Sequence, residues 1–397
     1  MTAPSSPKPA PTQLWLERLV LTNFRNHAAT AITVGPQPVV LAGANGSGKT
    51  NILEAVSLLS PGQGLRRAPF SDLARASGDS SWTLAAKVHT AHGVIDVGTG
   101  QTATAETTER SGRIVRLNGE ASTSGALADY VEMVWVTPAS DALFTGPASD
   151  RRRFLDRLIL CFDPAHAKLS SRFERAMQQR NKLLSDGARE GSRFEGLEMV
   201  MAETGTAIAA ARNEAIAALK IVIEERRARD PNSPFPWSHI SLQGSLENDL
   251  EQRTAIETED GYRETLARAR ERDRAAGRTL DGPHRSDLIA GHGPKTMPAK
   301  LCSTGEQKAL LLGLVLAHAE MIAERQDGLS PILLLDEVTA HLDEARRAAL
   351  FAEILRIGSQ AWMTGTDIQA FAALEGHATI LRVEDGCVRL GSDPSQQ

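Results

Sequence analysis

The segment Gly43-Ala44-Asn45-Gly46-Ser47-Gly48-Lys49-Thr50 constrains this chain more than any other. It matches the full phosphate-loop pattern, and its setting agrees with that reading. A short apolar run, Pro38 to Ala42, reads as a strand leading in, and Ile52, Leu53 and Val56 open a helix leading out. Glycines let backbone N–H groups close around phosphate oxygens, and a helix N-terminus favours an anion. In such a loop Lys49 reaches the β and γ phosphates, Thr50 ligates Mg²⁺, and Asn51 continues the motif onto the helix. A strand, a glycine-rich turn and a helix in this order belong to an α/β fold.

A second strand answers the first. Ile332 to Leu335 is apolar and ends in Asp336 and Glu337, where a metal carboxylate belongs. Asp336 is expected to hold Mg²⁺, and Glu337 to orient and deprotonate an attacking water as general base. Shortly before it, Ser303-Thr304-Gly305-Glu306-Gln307 opens a long apolar helix candidate from Thr304 to about Arg325. A hydroxyl and a glycine N–H at a helix N-terminus make a second phosphate-binding surface, with Ser303, Gly305 and Gln307 as its candidates. The same residues also fit a plain helix cap, with Glu306 closing a capping box.

The rest of the chain is organised around these motifs. Of 397 residues 41% are hydrophobic and 23% charged, the composition of a folded globular protein long enough for a head with one appended lobe. Strand-like runs at Leu14–Leu21, Trp82–Val88, Val94–Gly98, Ile114–Leu117 and Val131–Val136 make residues 1–148 a strand-rich first part of the head. Residues 149–280 read as a helical lid or arm, broken near Ser185 to Ser192 and again at Asp230 to Pro236, without sustained heptads. Residues 281–397 complete the head. The first twelve residues, rich in Pro and Ser, read as a loose tail rather than a secretory signal, and no apolar run spans a bilayer. Cys161, Cys302 and Cys387 have neither metal-ligand nor disulfide spacing, which suits a reducing cytoplasm. A net charge of −5 gives no global argument for nucleic acid.

Taken in order, these motifs resemble those of ABC-type ATPases. Cys302 to Lys308 resembles the signature, Ala340-His341-Leu342-Asp343 the D-loop, and Met363-Thr364-Gly365-Thr366-Asp367 occupies the switch position. Where many such ATPases carry a switch histidine, this chain offers Thr366 or Thr364, with Thr366 joining Lys49 and Glu337 as the catalytic candidates, which points to slow hydrolysis. No glutamine stands in the expected Q-loop region, Thr137 to Asp141.

With Thr50 and Asp336 separated by 286 positions, the chain lies between compact transporter ATPases and condensing proteins with long coiled coils. Within that class it resembles the RecF family. The matching blocks are Leu21-Thr22-Asn23-Phe24-Arg25-Asn26-His27, Thr50 to Ala55, Asp150 to Asp156, Gln179 to Leu184, Gly282 to Leu288 and Cys302 to Leu311. They run from about Leu16 to Asp367. The resemblance implies an ABC-type head with a helical lid and an ATP-dependent homodimer. It implies binding to DNA at single-strand/duplex junctions and gaps, weak DNA-stimulated ATPase activity, RecR as partner, and RecO and RecA downstream. Arg25, Asn51 and Asp343 join the nucleotide-contacting set on the same grounds. A non-catalytic ATP-binding scaffold is the alternative. Arg151 to Arg153 fit either a phosphate or interface contact or a solvated first helical turn. Arg268, Arg270, Arg272 and Arg274 read mostly as a solvated face. His284 and Arg285 fit a nucleotide contact and a structural role equally.

Overall fold

A computed structural model describes residues 13–102, 113–188 and 191–391; the tail expected over the first twelve residues lies outside them. The chain forms two compact units. One comprises 1–141, 233–235 and 315–397, the other 142–232 and 236–314.

The first unit holds two six-stranded sheets. The antiparallel sheet is built from β1 (Trp15–Phe24), β2 (His27–Thr33), β4 (Trp82–Thr90), β5 (Gly93–Gln101), β6 (Ile114–Leu117) and β7 (Glu120–Ser122), in the order β2-β1-β4-β5-β6-β7. The second sheet uses β3 (Val39–Ala42), β8 (Met133–Val136), β12 (Ile332–Leu335), β13 (Ala361–Gly365), β14 (Thr379–Glu384) and β15 (Cys387–Leu390). Its order is β15-β14-β3-β13-β12-β8, with every neighbour parallel except the closing β14–β15 hairpin.

Sequence explains why the two sheets differ. Along β4, Trp82, Leu84, Ala86 and Val88 turn inward while Thr83 and Ala85 face water, the alternation of a sheet with one wet side. Strands β3, β8, β12 and β13 are buried at every residue, as parallel strands covered on both faces must be. Alternate residues of the parallel sheet, Val39, Leu41, Met133, Trp135, Leu334 and Trp362, join Leu19, Leu21 and Phe24 of β1 in one core. Ile52, Leu53 and Val56 of α1 (Lys49–Ser57) complete it.

The second unit is helical around α4 (Gly191–Arg229), a 39-residue helix packed against α3 (His166–Ser185) and α6 (Ala255–Arg268). Close approach is set by small residues. A Cβ on Gly205 would sit 3.0 Å from the Tyr262 ring, so no larger residue fits there without a shift. The remaining helices of this unit are α2 (Ala148–Leu160), α5 (Ser245–Leu250) and α7 (Arg270–Ala276). The helical reading of 149–280 needs one correction. Ser238–Gln243 forms strand β9, which pairs with β10 (Asp287–His292), itself paired with β11 (Met297–Pro298). That pairing draws 281–314 into the helical unit, so the observed division departs from the boundary expected at 280/281. It falls at 314/315, inside α8 (Thr304–Arg325). Helix α9 (Glu344–Ile357) belongs to the first unit. Among the described residues no helix is long and apolar enough to cross a membrane.

The blocks Asp150–Asp156, Gln179–Leu184 and Gly282–Leu288 turn out to hold the second unit together. Arg151 binds Asp287 through two hydrogen bonds of 2.7 and 2.8 Å, and Arg152 donates to the Ser286 carbonyl. These residues are therefore ties between α2 and the start of β10, neither a solvated turn nor a free phosphate contact; only Arg153 is exposed, paired with Asp150. Asp156 receives both arms of Arg212, and its burial is outweighed by His166 and Arg212, which hold its carboxyl below the usual range. Arg180, fully buried, donates to Glu198, Asp273, Thr279 and the Leu266 carbonyl.

Removing Arg180 would take the fully buried guanidinium from Glu198 and Asp273 and leave them only Arg270 and Arg272 at the rim, a loss of about 3–5 kcal/mol for a broken buried ion pair. Arg180→Ala is expected to lower the urea midpoint strongly, while Arg268→Ala, at an exposed pair with Glu264, leaves it within about 0.5 kcal/mol. Equal midpoints for the two variants would refute the assignment.

Candidate nucleotide site

The register of the parallel sheet places three loops at one edge. Ala42 pairs with Gly365, so β3 and β13 end level, and Leu335 pairs with Met363, so β12 ends two residues earlier and Asp336 follows it beside Thr364. The phosphate loop, the Thr364–Thr366 segment and the Asp336–Glu337 pair therefore emerge side by side at the carboxyl ends of parallel strands, where α/β sheets place their ligands. The loop turns through left-handed glycines, Gly46 at φ 82° and Gly48 at φ 113°, a conformation that side chains rarely adopt.

Within this edge the predicted residues meet. Thr50 Oγ1 donates to Asp336 Oδ1 at 2.9 Å, joining positions 286 residues apart. Thr364 Oγ1 donates to the same oxygen at 2.7 Å and accepts the Glu337 N–H at 2.7 Å. Thr364 is thus the switch-segment hydroxyl that reaches the acids; Thr366 lies exposed, just past the end of β13. Lys49 Nζ donates to the carbonyls of Gly43 and Ala44 at 2.7 and 2.8 Å. Burial holds its ammonium below the ordinary lysine value, while Glu337 and Asp336 pull it back up.

Two features fit a phosphate-bound cation. Asp336 is only 4% exposed, and among the described residues it takes two hydroxyl donors but no ion pair within 4 Å, so its charge is under-compensated. Ser47 Oγ is buried inside the loop with no hydrogen-bond partner among the described residues. No cluster of three or more His, Cys, Asp or Glu side chains suited to a metal occurs among the described residues. Mg²⁺ takes one or two protein oxygens and completes its shell with phosphate and water, a donor set that Thr50 Oγ1 and Asp336 can supply. Glu337 follows Asp336 at φ 49°, a strained conformation for a non-glycine residue, and is exposed at the strand end.

Other candidates sit as follows. Arg25 forks onto Glu54 of α1 at 2.8 and 2.9 Å and donates to the Asp72 carbonyl. Asn51 donates to Asn26 and accepts from Arg66. Asp343 caps α9 through the Arg346 N–H. In the second unit, Ser303 and Glu306 form a reciprocal capping box at the start of α8, and Gln307 donates to the Cys302 carbonyl. Glu306 is pulled down to about 2 by Lys295 and by the Ser303 N–H. Gly305 lies in the first turn, part-exposed beside exposed Ser303.

The four arginines of 268–274 all have carboxylate partners: Glu264, Glu198, Asp281 and Glu271 in turn. His284 approaches the Thr279 carbonyl at 3.1 Å, and burial lowers its pKa. Arg285 is exposed. Sequence reasoning did not single out Gly386, whose backbone touches the phosphate loop; the Asp385-Gly386 turn pair was its only signal.

Comparison with known proteins agrees with this geometry. Residues 15–388 match the RecF/RecN/SMC N terminal domain family. The DNA replication and repair protein RecF of Mesorhizobium japonicum is 52% identical over 380 residues, covering 95% of this chain and 98% of that protein. Its counterpart from Brucella suis is 50% identical over 377 residues, covering 95% and 96%. Among solved structures, a recombination mediator RecF–ATP structure of the RecFOR pathway superposes with a TM-score of 0.82 at 22% identity, covering 97% of this chain and 99% of that one. The Smc head domain of Pyrococcus furiosus reaches 0.55 at 17% identity, covering 96% of each chain. With the family shown by sequence over nearly its whole length and the fold by these structures, the chain belongs to the RecF family of DNA replication and repair proteins.

Proposed function

We propose that this chain binds ATP with Mg²⁺, pairs with a second copy of itself on gapped or junction DNA, and hydrolyses ATP slowly in the cytoplasm. In this reading it is a recombination mediator with RecR as partner and RecO and RecA downstream. The observation that carries the proposal is the contact of Thr50 and Thr364 with one oxygen of Asp336, beside Lys49 and Glu337.

Each residue has a task that its surroundings fit. Lys49 exchanges the Gly43 and Ala44 carbonyls for β and γ phosphate oxygens. Thr50 and Asp336 hold the metal, whose charge, when bound, offsets that of the phosphate oxygens. Glu337 takes the proton of the attacking water. Thr364 ties Asp336 to the Glu337 backbone, so metal ligand and base keep one relative position. A threonine in place of a switch histidine supplies a hydroxyl and no titratable proton, which favours slow turnover. Ser303 and Gly305 serve the partner copy's γ-phosphate rather than their own.

DNA contact in this reading is electrostatic and strengthened by pairing. The arginines of 268–274 are engaged with carboxylates, so the proposal does not rest on them.

Three experiments test this. Lys49→Ala should weaken binding of a fluorescent ATP analogue at least about tenfold, the weight of a charge-assisted contact; unchanged affinity would reject the phosphate-loop assignment. Glu337→Gln keeps the shape but loses the basic oxygen, so single-turnover hydrolysis should slow by about 10²- to 10⁴-fold with ATP binding intact. Equal rates would remove Glu337 as the base. Ser303→Arg should leave ATP binding intact and abolish the ATP-induced dimer in sedimentation, with partial hydrolysis restored by mixing it with Lys49→Ala. A dimer as stable as the parent's would reduce the signature to a helix cap.

A further inference from the structure

The turn Arg25-Asn26-His27 between β1 and β2 carries more polar contacts than a hairpin turn needs, and from it Asn26 and His27 reach the phosphate loop, Asn51 and Gly386. Asn26 Nδ2 donates to the Ser47 carbonyl at 3.0 Å, while Asn26 Oδ1 accepts from Asn51 at 2.8 Å. His27 is fully buried; its Nε2 lies 3.3 Å from the Gly48 carbonyl and its Nδ1 2.8 Å from the Gly386 carbonyl. Gly386 sits in the turn of the β14–β15 hairpin. Its N–H donates to the same Ser47 carbonyl at 3.0 Å, and its carbonyl also accepts from Thr30 Oγ1 at 3.0 Å. The fit is close: a Cβ on Gly48 would lie 2.6 to 2.9 Å from the Asn26 and His27 side chains, and one on Gly386 only 2.5 Å from the Asn26 carbonyl.

We infer that Asn26, His27 and Gly386 form a two-sided brace, positioning residues that hold Ser47 and Gly48 in the nucleotide-ready shape and couple the C-terminal hairpin to nucleotide affinity. The physical reason lies in the direction of the groups. A phosphate loop binds by turning its N–H groups towards the ligand, so the carbonyls of the same peptides must point away. The Ser47 carbonyl takes two donors, one a side chain and one the hairpin backbone, so rotation of the Ser47–Gly48 peptide would break both. Glycines at 46 and 48, left-handed and without side chains, do not resist such rotation by themselves. Coupling between two sites is reciprocal: if the hairpin holds the loop, nucleotide in the loop must stabilise the hairpin, and anything docking on the hairpin must change nucleotide affinity.

This inference rests on the phosphate-loop reading, and its test separates the two. Cys387 is exposed and directly follows Gly386, whereas Cys161 and Cys302 are buried, so an environment-sensitive thiol probe on the native full chain reports from the hairpin itself. Titration of the labelled protein with Mg-ATP should give a saturable signal whose midpoint matches independent nucleotide binding. Asn26→Asp keeps the acceptor for Asn51 but sets a carboxylate oxygen against the Ser47 carbonyl. It should weaken ATP binding about tenfold and shrink the probe response, with the melting temperature nearly unchanged. Gly386→Ala, which adds a Cβ at φ 78° only 2.5 Å from the Asn26 carbonyl oxygen, should likewise weaken ATP binding and shrink the probe response, here with some loss of melting temperature. Wild-type affinity and an undiminished probe response in both variants, with Lys49→Ala still defective, overturn the brace alone. A shift in melting temperature without a change in affinity overturns it too, because the contacts then serve folding only. Absence of ATP binding by the parent chain overturns the phosphate-loop reading and the brace with it.

Discussion

The parallel register of β3, β13 and β12 is the constraint on which the rest depends. Each strand contributes one loop, and since the strands end within two residues of one another, Thr50 and Asp336, 286 positions apart in the chain, meet within hydrogen-bond distance. A slip of a single residue would turn Asp336 to the other face of its strand and separate it from both threonines. The register is in turn fixed by burial on both faces, which leaves no exposed side onto which the strands can slide. Core packing thus sets the accuracy of the site. The polar contacts at the edge are few, and the apolar residues beneath them decide where those contacts fall.

The same logic divides the labour of the family-like blocks. Those at the parallel edge place charge for a ligand, while those of the second unit neutralise charge within the protein. Arg151 was open to a phosphate-contact reading, and Arg180 and Arg212 are equally cationic, yet each is spent on carboxylates and carbonyls of the protein itself. A buried guanidinium must be compensated on several sides, because leaving it partly unpaired costs several kcal/mol. The price of such a network is that a long specific sequence block is needed to supply the partners. A block can therefore be diagnostic of the family without touching any ligand.

How much was legible follows from how local each signal is. The phosphate loop, the strand before Asp336 and helix α8 depend on contiguous residues, and the structure places them where the sequence put them. Strand β9 was hidden because Ser238–Gln243 alternates only weakly and sits in a helix-rich stretch; what makes it a strand is β10, more than forty residues on. The division at 314/315 was hidden for the same reason, being decided by that pairing rather than by composition. At the site, sequence offered Thr366 or Thr364 and placed Thr366 in the catalytic set, whereas the hydroxyl that meets the acids is that of Thr364. The choice is made by strand geometry, since Thr364 lies within β13 and reaches Asp336, while Thr366 has left the sheet. The role of Gly386 was out of reach, because its contacts are made by backbone atoms, which every residue possesses.

The site also departs from the economy of the core around it. Asp336 is buried without a matching ion pair, Ser47 Oγ lacks a partner among the described residues, and Glu337 sits in a left-handed conformation. Each of these features destabilises a folded chain considered by itself, by an amount on the order of 1–3 kcal/mol. They occur together, along one edge of a sheet whose interior is otherwise apolar and closely packed. Strain and unsatisfied polarity gathered at one place fit the ligand site proposed for this edge. The brace from the β1–β2 and β14–β15 turns then has a clear physical role. A loop carrying uncompensated groups would relax towards its own carbonyls, as Lys49 does with Gly43 and Ala44, unless the peptides around it were held from behind. Holding the Ser47 carbonyl from two sides limits that relaxation to side chains, which a ligand can reverse without rebuilding the backbone.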